Sequence, residues 1–166
     1  AAAAAHIEHG LALYDPAQHR SHAALYGGHD PGACARNHRA LTRWMLGYPD
    51  KALKSAKEAL SLAQELSHPL TTTVTLFFAA CVDYYRGEVR SLEEKARALV
   101  DLATAQGFST WIQHGMMLLT PVMLDQGQTQ EAIRQLERGL ATLRITGTSW
   151  REALYTCQLA EAYGRM

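Results

Sequence analysis

The chain has few cysteines, no excess of charge and no long apolar run, and each absence excludes a class of protein. Its three cysteines, Cys34, Cys81 and Cys157, lie far apart and form no C-x-x-C pair, which favours a reducing compartment over a disulfide scaffold. The 16 basic and 16 acidic residues cancel, so net charge gives no attraction to nucleic-acid phosphates. No apolar run approaches the roughly 20 residues that cross a bilayer. We therefore expect a cytoplasmic protein that binds neither nucleic acid nor membrane.

Phosphate-binding fingerprints and catalytic spacings are also absent. The sequence contains neither the P-loop pattern G-x-x-x-x-G-K-[ST] nor the dinucleotide fingerprint G-x-G-x-x-G. The carboxylates Asp83, Glu88, Glu93 and Glu94 have no partner fixed by spacing, and no base is implied beside Cys81. We expect this chain to have no catalytic activity and no cofactor.

What the sequence does contain is a glycine period of 40 residues. Gly47, Gly87 and Gly127 occupy the same place in aligned segments, and Gly107 and Gly147 repeat the step at the other end of each unit. A period of this length is typical of a solenoid. We predict an all-α fold, an α-solenoid of antiparallel helical hairpins whose units are about 40 residues long.

Proline and aspartate mark where the predicted helices begin. Asp30 caps free backbone amides and Pro31 takes the first helical position, and Asp15-Pro16 repeats this signature. Pro121 lies within a predicted helix, so we expect a kink near Met117. The main helices are predicted at residues 32–46, 50–66, 70–86, 89–106, 109–126, 129–145 and 149–164, with a short inserted helix at 16–26 that Gly27-Gly28 stops.

These elements predict one repeat domain over residues 6–166. Ala1 to Ala5 look like a tag scar or placeholder residues and are left out of the functional interpretation. The domain comprises a partial unit at 6–14, the inserted helix at 16–26, units at about 31–67, 68–107 and 108–147, and a truncated unit at 148–166. Because both ends fall within a repeat, we expect a piece of a longer protein.

The landmarks of each unit resemble the tetratricopeptide repeat (TPR). They are the turn glycine, an alanine five places later (Ala52, Ala132) and a small residue seven places earlier (Ala40, Ala80). The unit is longer than the usual 34 residues, which implies extended helices. Five segments, GHDPGACAR at 28–36, WMLGYPDKAL at 44–53, ELSHP at 65–69, GFSTW at 107–111 and LAEAYGRM at 159–166, resemble the C-terminal TPR region of bacterial proteins that join a class III adenylate/guanylate cyclase domain to an AAA-like ATPase. This resemblance implies a non-catalytic, regulatory or partner-binding segment.

The first helices of a TPR array line its concave groove, and this register gives the candidate binding residues. They are Asn37, Leu41, Trp44, Phe77, Cys81, Tyr84, Tyr85, His114 and Met117. A peptide or a helix can bury such an aromatic-rich surface, so we expect a protein partner or a neighbouring domain of the parent chain. The same stripe also fits ordinary core packing. A different function that fits it is a small-ligand sensor, with a metabolite held near Trp44, Tyr84 and His114.

Two further clusters, one of arginines and one of histidines, are candidate sites. Arg36, Arg39 and Arg43 form an i, i+3, i+7 stripe that either clamps a carboxylate or phosphate of a partner or is a solvated helix face. By TPR register the stripe packs against a neighbour, so either the helix rotates or the arginines meet acidic or polar groups from residues 16–26.

His19 and His22, with His29 and His38 nearby, match no zinc pattern, and we predict surface and capping histidines and no metal site.

Overall fold

The structure is a computed structural model that describes residues 2–19, 21–26, 28–147 and 151–166, and within these ranges it contains helices and no strand. The helices are α1 (Ala2–Leu13), α2 (Pro16–His19), α3 (His22–Tyr26), α4 (Pro31–Met45), α5 (Pro49–Leu66), α6 (Pro69–Arg86), α7 (Val89–Gln106), α8 (Ser109–Leu118), α9 (Thr120–Asp125), α10 (Thr129–Ile145) and α11 (Glu152–Gly164). The predicted all-α class is confirmed.

Most predicted helix ends are confirmed to within one residue, because proline and glycine act locally. Pro31, Pro49 and Pro69 each occupy the start of a helix, where the missing proline N–H costs nothing. Gly87 ends α6 in the left-handed conformation at φ 73°. The predicted stop at Gly27 and the predicted start at 149 lie outside the described residues.

The N-terminal ends of α4 and α6 are joined by a hydrogen bond between Asp30 and Thr71. The Asp30 carboxylate accepts hydrogen bonds from the Ala33 N–H at 2.8 Å and from the Tyr14 hydroxyl at 2.9 Å. The Asp30 N–H in turn donates to the Thr71 hydroxyl at 2.9 Å. His68 caps α6 by accepting from the Thr71 N–H at 3.2 Å. The predicted cap at Asp30 is confirmed, and it also anchors the segment before α4.

The prediction of one inserted helix at 16–26 was wrong, since two short helices, α2 and α3, occupy this segment. His19 Nδ1 accepts the Asp15 N–H at 2.9 Å, which turns the last side chain of α2 back to its start. A second start follows at Ser21, whose carbonyl accepts the Leu25 N–H at 3.1 Å. The local side-chain bond therefore competes with one continuous helix.

The helix predicted at 109–126 is interrupted at Leu119, close to Met117, as expected from Pro121. Proline has no N–H to donate to the carbonyl four residues earlier, which here is that of Met117. This carbonyl accepts a backbone N–H at the end of α8 instead, and the Thr120 hydroxyl also donates to it at 2.7 Å. A side chain thus adds a hydrogen bond at the junction of α8 and α9.

The chain divides into two compact units, one up to Lys95 and one from Ala96, and the boundary falls within α7. In the first unit α4 packs against α1, α5 and α6, and α5 packs against α6. Small side chains line these contacts and let the helices approach closely: Ala33, Ala40, Ala52, Ala56, Ala59, Ala63, Ala79 and Ala80. In the second unit α10 packs against α8, α9 and α11. Its core includes Met117, Leu118, Leu136, Leu140, Leu143 and Tyr155.

Candidate functional site

Four of the predicted binding residues lie in the interior of the first unit. Asn37, Leu41, Phe77 and Cys81 are buried. The Asn37 amide donates to the Thr75 hydroxyl at 3.2 Å, so this polar pair joins α4 to α6. The ring of Phe77 meets that of its neighbour Phe78 edge-on, with centroids 5.6 Å apart. The core-packing interpretation, left open by the sequence, applies to these four residues, and they offer no surface to a partner in this conformation.

His114 and Met117 are likewise buried in the second unit. A hydrogen bond of 2.7 Å joins His114 Nδ1 to the hydroxyl of Tyr155 on α11. Burial lowers the pKa of His114 to about 4, and the Arg151 charge acts in the same direction. Met117 covers Gly139, where an added Cβ would lie 2.3 Å from the Met117 sulfur. Both side chains therefore hold α8 against its neighbours.

The three remaining binding candidates form an aromatic cluster, which we define as Trp44, Tyr84 and Tyr85. All three are half-buried. Trp44 of α4 stacks on Tyr85 of α6, with ring centroids 5.7 Å apart and an interplanar angle of 16°. The Tyr84 and Tyr85 rings are tilted at 58°, with centroids 5.6 Å apart. The structure therefore brings these three predicted residues together.

The aromatic cluster adjoins an exposed apolar turn, which we define as Met45, Leu46 and Tyr48. These side chains follow Trp44 at the end of α4 and are 68%, 49% and 50% exposed. Gly47 lies within this turn at φ 82°, a conformation that positions the chain to enter α5. The sequence analysis did not single out Leu46 or Tyr48.

The arginine stripe is occupied by groups of the chain itself. Arg39 forms ion pairs with Glu8 of α1 and Glu58 of α5. Arg43 donates to the Ser55 hydroxyl at 2.8 Å and pairs with Glu8 at 3.2 Å.

Arg36 donates to the Gly32 carbonyl at 3.0 Å and lies over the Tyr14 ring at 5.6 Å. The carboxylates that meet the stripe thus come from α1 and α5, and not from residues 16–26, which was one of the two alternatives left open above. The reason is that α1 packs directly on α4.

Several histidines cap helices or lie beside other rings. The His19 and His22 rings are 4.8 Å apart, and His19 also accepts the Asp15 N–H. Burial lowers the pKa of His29, and the charges of His38 and His68 act in the same direction. In the described ranges, no three His, Cys, Asp or Glu side chains are grouped as a metal site requires.

Sequence reasoning missed a charged cavity in the first unit, bordered by α5, α6 and the start of α7. Its volume is about 230 Å³. The buried Asp83 carboxylate accepts from Lys95 Nζ at 2.6 Å and from the Ser91 hydroxyl at 2.8 Å. The separation of twelve residues between Asp83 and Lys95 crosses a turn, so no single-helix spacing pairs them. The carboxylate of Asp83, directly after the apolar segment FFAACV of α6, was the available signal.

Comparison with protein-family models finds no match, and comparison with curated proteins finds no significant similarity. Among the helices that the structure describes, none has both the length and the apolar character needed to cross a membrane.

Proposed function

We propose that this chain is a non-catalytic protein-interaction module that binds an apolar peptide or helix at the aromatic cluster and the exposed apolar turn. The observation that carries the proposal is the exposure of Met45, Leu46 and Tyr48 beside the stacked Trp44–Tyr85 pair. Aromatic and large apolar side chains tend to carry the binding energy of interfaces. Because Trp44 and Tyr85 support each other, a partner meets a surface that is already ordered.

The wider setting that we propose is a TPR-like array within a larger bacterial signalling protein that carries nucleotide cyclase and ATPase domains. The motifs quoted above and the repeated turn glycines support this setting. The partner would be a peptide segment or a neighbouring domain of the parent chain, with no role for nucleic acid or membrane. The small number and wide spacing of the cysteines Cys34, Cys81 and Cys157 support a cytoplasmic location.

Peptide display against the whole chain tests the interaction function. We expect enriched peptides to carry apolar anchors and to quench or shift the fluorescence of Trp44. Changing Met45 and Leu46 together to Ser should weaken these peptides about tenfold or more, since interface anchors contribute more than about 1 kcal/mol each. Isothermal titration calorimetry gives the affinities.

The matched control is Ile145→Ser, which removes an 86% exposed apolar side chain at the end of α10. It should leave the affinity unchanged. Peptides that bind the Met45/Leu46 double variant as well as the unchanged chain would rule out this surface, and failure to enrich any peptide would count against the function itself.

The second function that we propose is small-ligand sensing, favoured by the 230 Å³ cavity lined by both charged and apolar side chains. This cavity is not where the ligand was expected, which was near Trp44, Tyr84 and His114. The His114 ring is buried and hydrogen-bonded to Tyr155, so it is not open to a ligand. Ligand pockets combine apolar walls with a few convergent polar groups, and this cavity has both.

A further inference from the structure

The cavity has an apolar wall and a charged rim. Leu53, Ala56 and Leu60 of α5 and Ala79 of α6 form the wall. The rim consists of Lys57, Asp83, Arg86, Glu88, Ser91 and Lys95. Its volume of about 230 Å³ is below the roughly 300–1,000 Å³ of drug-sized pockets, so a ligand must be short.

Part of the rim is already neutralised. Lys95 Nζ donates to the Asp83 carboxylate and to the Ser91 hydroxyl, both at 2.6 Å. The buried carboxylate and the ammonium compensate each other, and the serine hydroxyl adds a second bond to each. The charges that a ligand can use are therefore those of Lys57, Arg86 and Glu88.

One edge of the Arg86 guanidinium has no hydrogen-bond partner among the described residues. Its Nη1 pairs with Asp50 at 3.5 Å, and that carboxylate is 95% exposed, so water competes for it. Its Nε is buried and has no hydrogen-bond partner among the described residues. Arginine binds carboxylates through two parallel N–H groups, and the edge formed by Nε and Nη2 provides such a pair.

The charge balance and the apolar wall select the class of anion. Three cations and two carboxylates line the cavity, which leaves an excess of one positive charge. A phosphate dianion would meet repulsion from Asp83 and Glu88, whereas a monocarboxylate matches the excess. Leu53 and Leu60 offer apolar surface to a hydrocarbon chain.

We propose that this cavity binds a small aliphatic monocarboxylate, with the carboxylate on Arg86 and Lys57 and the hydrocarbon chain on the wall from α5. The proposal rests on the sensing function given above and names its ligand class. It is independent of the peptide surface at Met45 and Leu46.

Calorimetric and NMR titrations of the full chain with hexanoate, hexanamide and inorganic phosphate test the proposal. We expect hexanoate to bind and to shift the resonances of cavity residues, and hexanamide and phosphate to bind at least tenfold more weakly. Arg86→Gln should weaken hexanoate about tenfold or more because the paired donors are lost. Lys57→Gln, at an exposed position, should weaken it several-fold without disturbing the fold.

Lys54→Gln is the matched control, because it removes the same charge from the same helix at a position that does not line the cavity. It should change hexanoate affinity less than twofold. Equal binding of hexanamide would overturn the carboxylate assignment while leaving small-ligand sensing in place. Stronger binding of phosphate would overturn it in favour of an inorganic anion site. If none of the three probes shifts cavity resonances, both the assignment and the sensing function fail.

Discussion

At the scale of single residues, the buried ring of His114 makes stability depend on pH. Its pKa is lowered from 6.5 to about 4 by burial, so between these values the unfolded chain binds a proton that the folded chain does not. The stability that the neutral His114 ring contributes is fully present above pH 6.5 and is lost as the pH falls from 6.5 through 4. We expect the free energy of unfolding to fall by about 3 kcal/mol over this range from His114 alone.

Urea titrations at a series of pH values check this prediction. His114→Gln cannot take up the proton, so the variant should show a shallower loss of stability than the unchanged chain between pH 6.5 and 4. The lowered pKa of His29 adds a contribution of the same sign to both proteins. Parallel curves for the two proteins would show that His114 is protonated without penalty in the fold.

At the scale of the helical element, Thr120 compensates for the proline that breaks the helix. Its hydroxyl is buried and donates to the Met117 carbonyl, which Pro121 deprives of the usual donor four residues later and which also accepts a backbone N–H at the end of α8. Thr120→Val keeps the shape but removes the side-chain bond to this carbonyl. We expect the free energy of unfolding to fall by about 0.5–1.5 kcal/mol.

Thr142→Val provides the control for this change. The Thr142 hydroxyl donates to the Arg138 carbonyl at 2.9 Å, but the site is exposed and water can replace it. This variant should differ from the unchanged chain by less than about 0.5 kcal/mol. Urea denaturation followed by circular dichroism measures both, and equal effects would mean that the α8–α9 junction does not depend on the Thr120 hydroxyl.

The helices were predictable where the signal is local, whereas the burial of most candidate binding residues was not. Pro31, Pro49 and Pro69 begin helices through their own covalent geometry, whatever surrounds them. Burial depends on the neighbouring helices instead. Nothing near His114 in the sequence identifies Tyr155, which lies 41 residues away, as its partner.

The same limit applies to the charged groups. Asp83 of α6 and Lys95 of α7 meet only once the chain has turned between these helices, so no spacing rule identifies either side chain as the partner of the other. The spacing of the arginine stripe is visible in the sequence, but its acidic partner Glu8 is not. Glu8 lies in α1, 31 residues before Arg39, and meets the stripe only because α1 packs on α4. When two side chains meet because their helices pack together, the residue spacing within one helix cannot identify them as partners.

At the scale of the whole molecule, one turn conformation recurs at each step of the 40-residue period. Gly47, Gly87 and Gly127 have φ values of 82°, 73° and 75°. A Cβ added at any of them meets no atom within 4 Å, so the cost of a side chain is that of the left-handed backbone alone. Each substitution by alanine should therefore lower the free energy of unfolding by a similar amount, about 1–2 kcal/mol.

Urea denaturation of the three single variants measures these costs, with Gly10→Ala in α1 as the control. Gly10 has no positive φ and also has open space around it, so alanine should there be neutral or stabilise by up to about 1 kcal/mol. Similar costs at Gly47, Gly87 and Gly127 would mean that the three turns make the same requirement of the backbone, so that the period repeats in energy as well as in sequence. A variant that costs nothing would show that its turn relaxes to another conformation, and the repeat would then be energetically unequal along the chain.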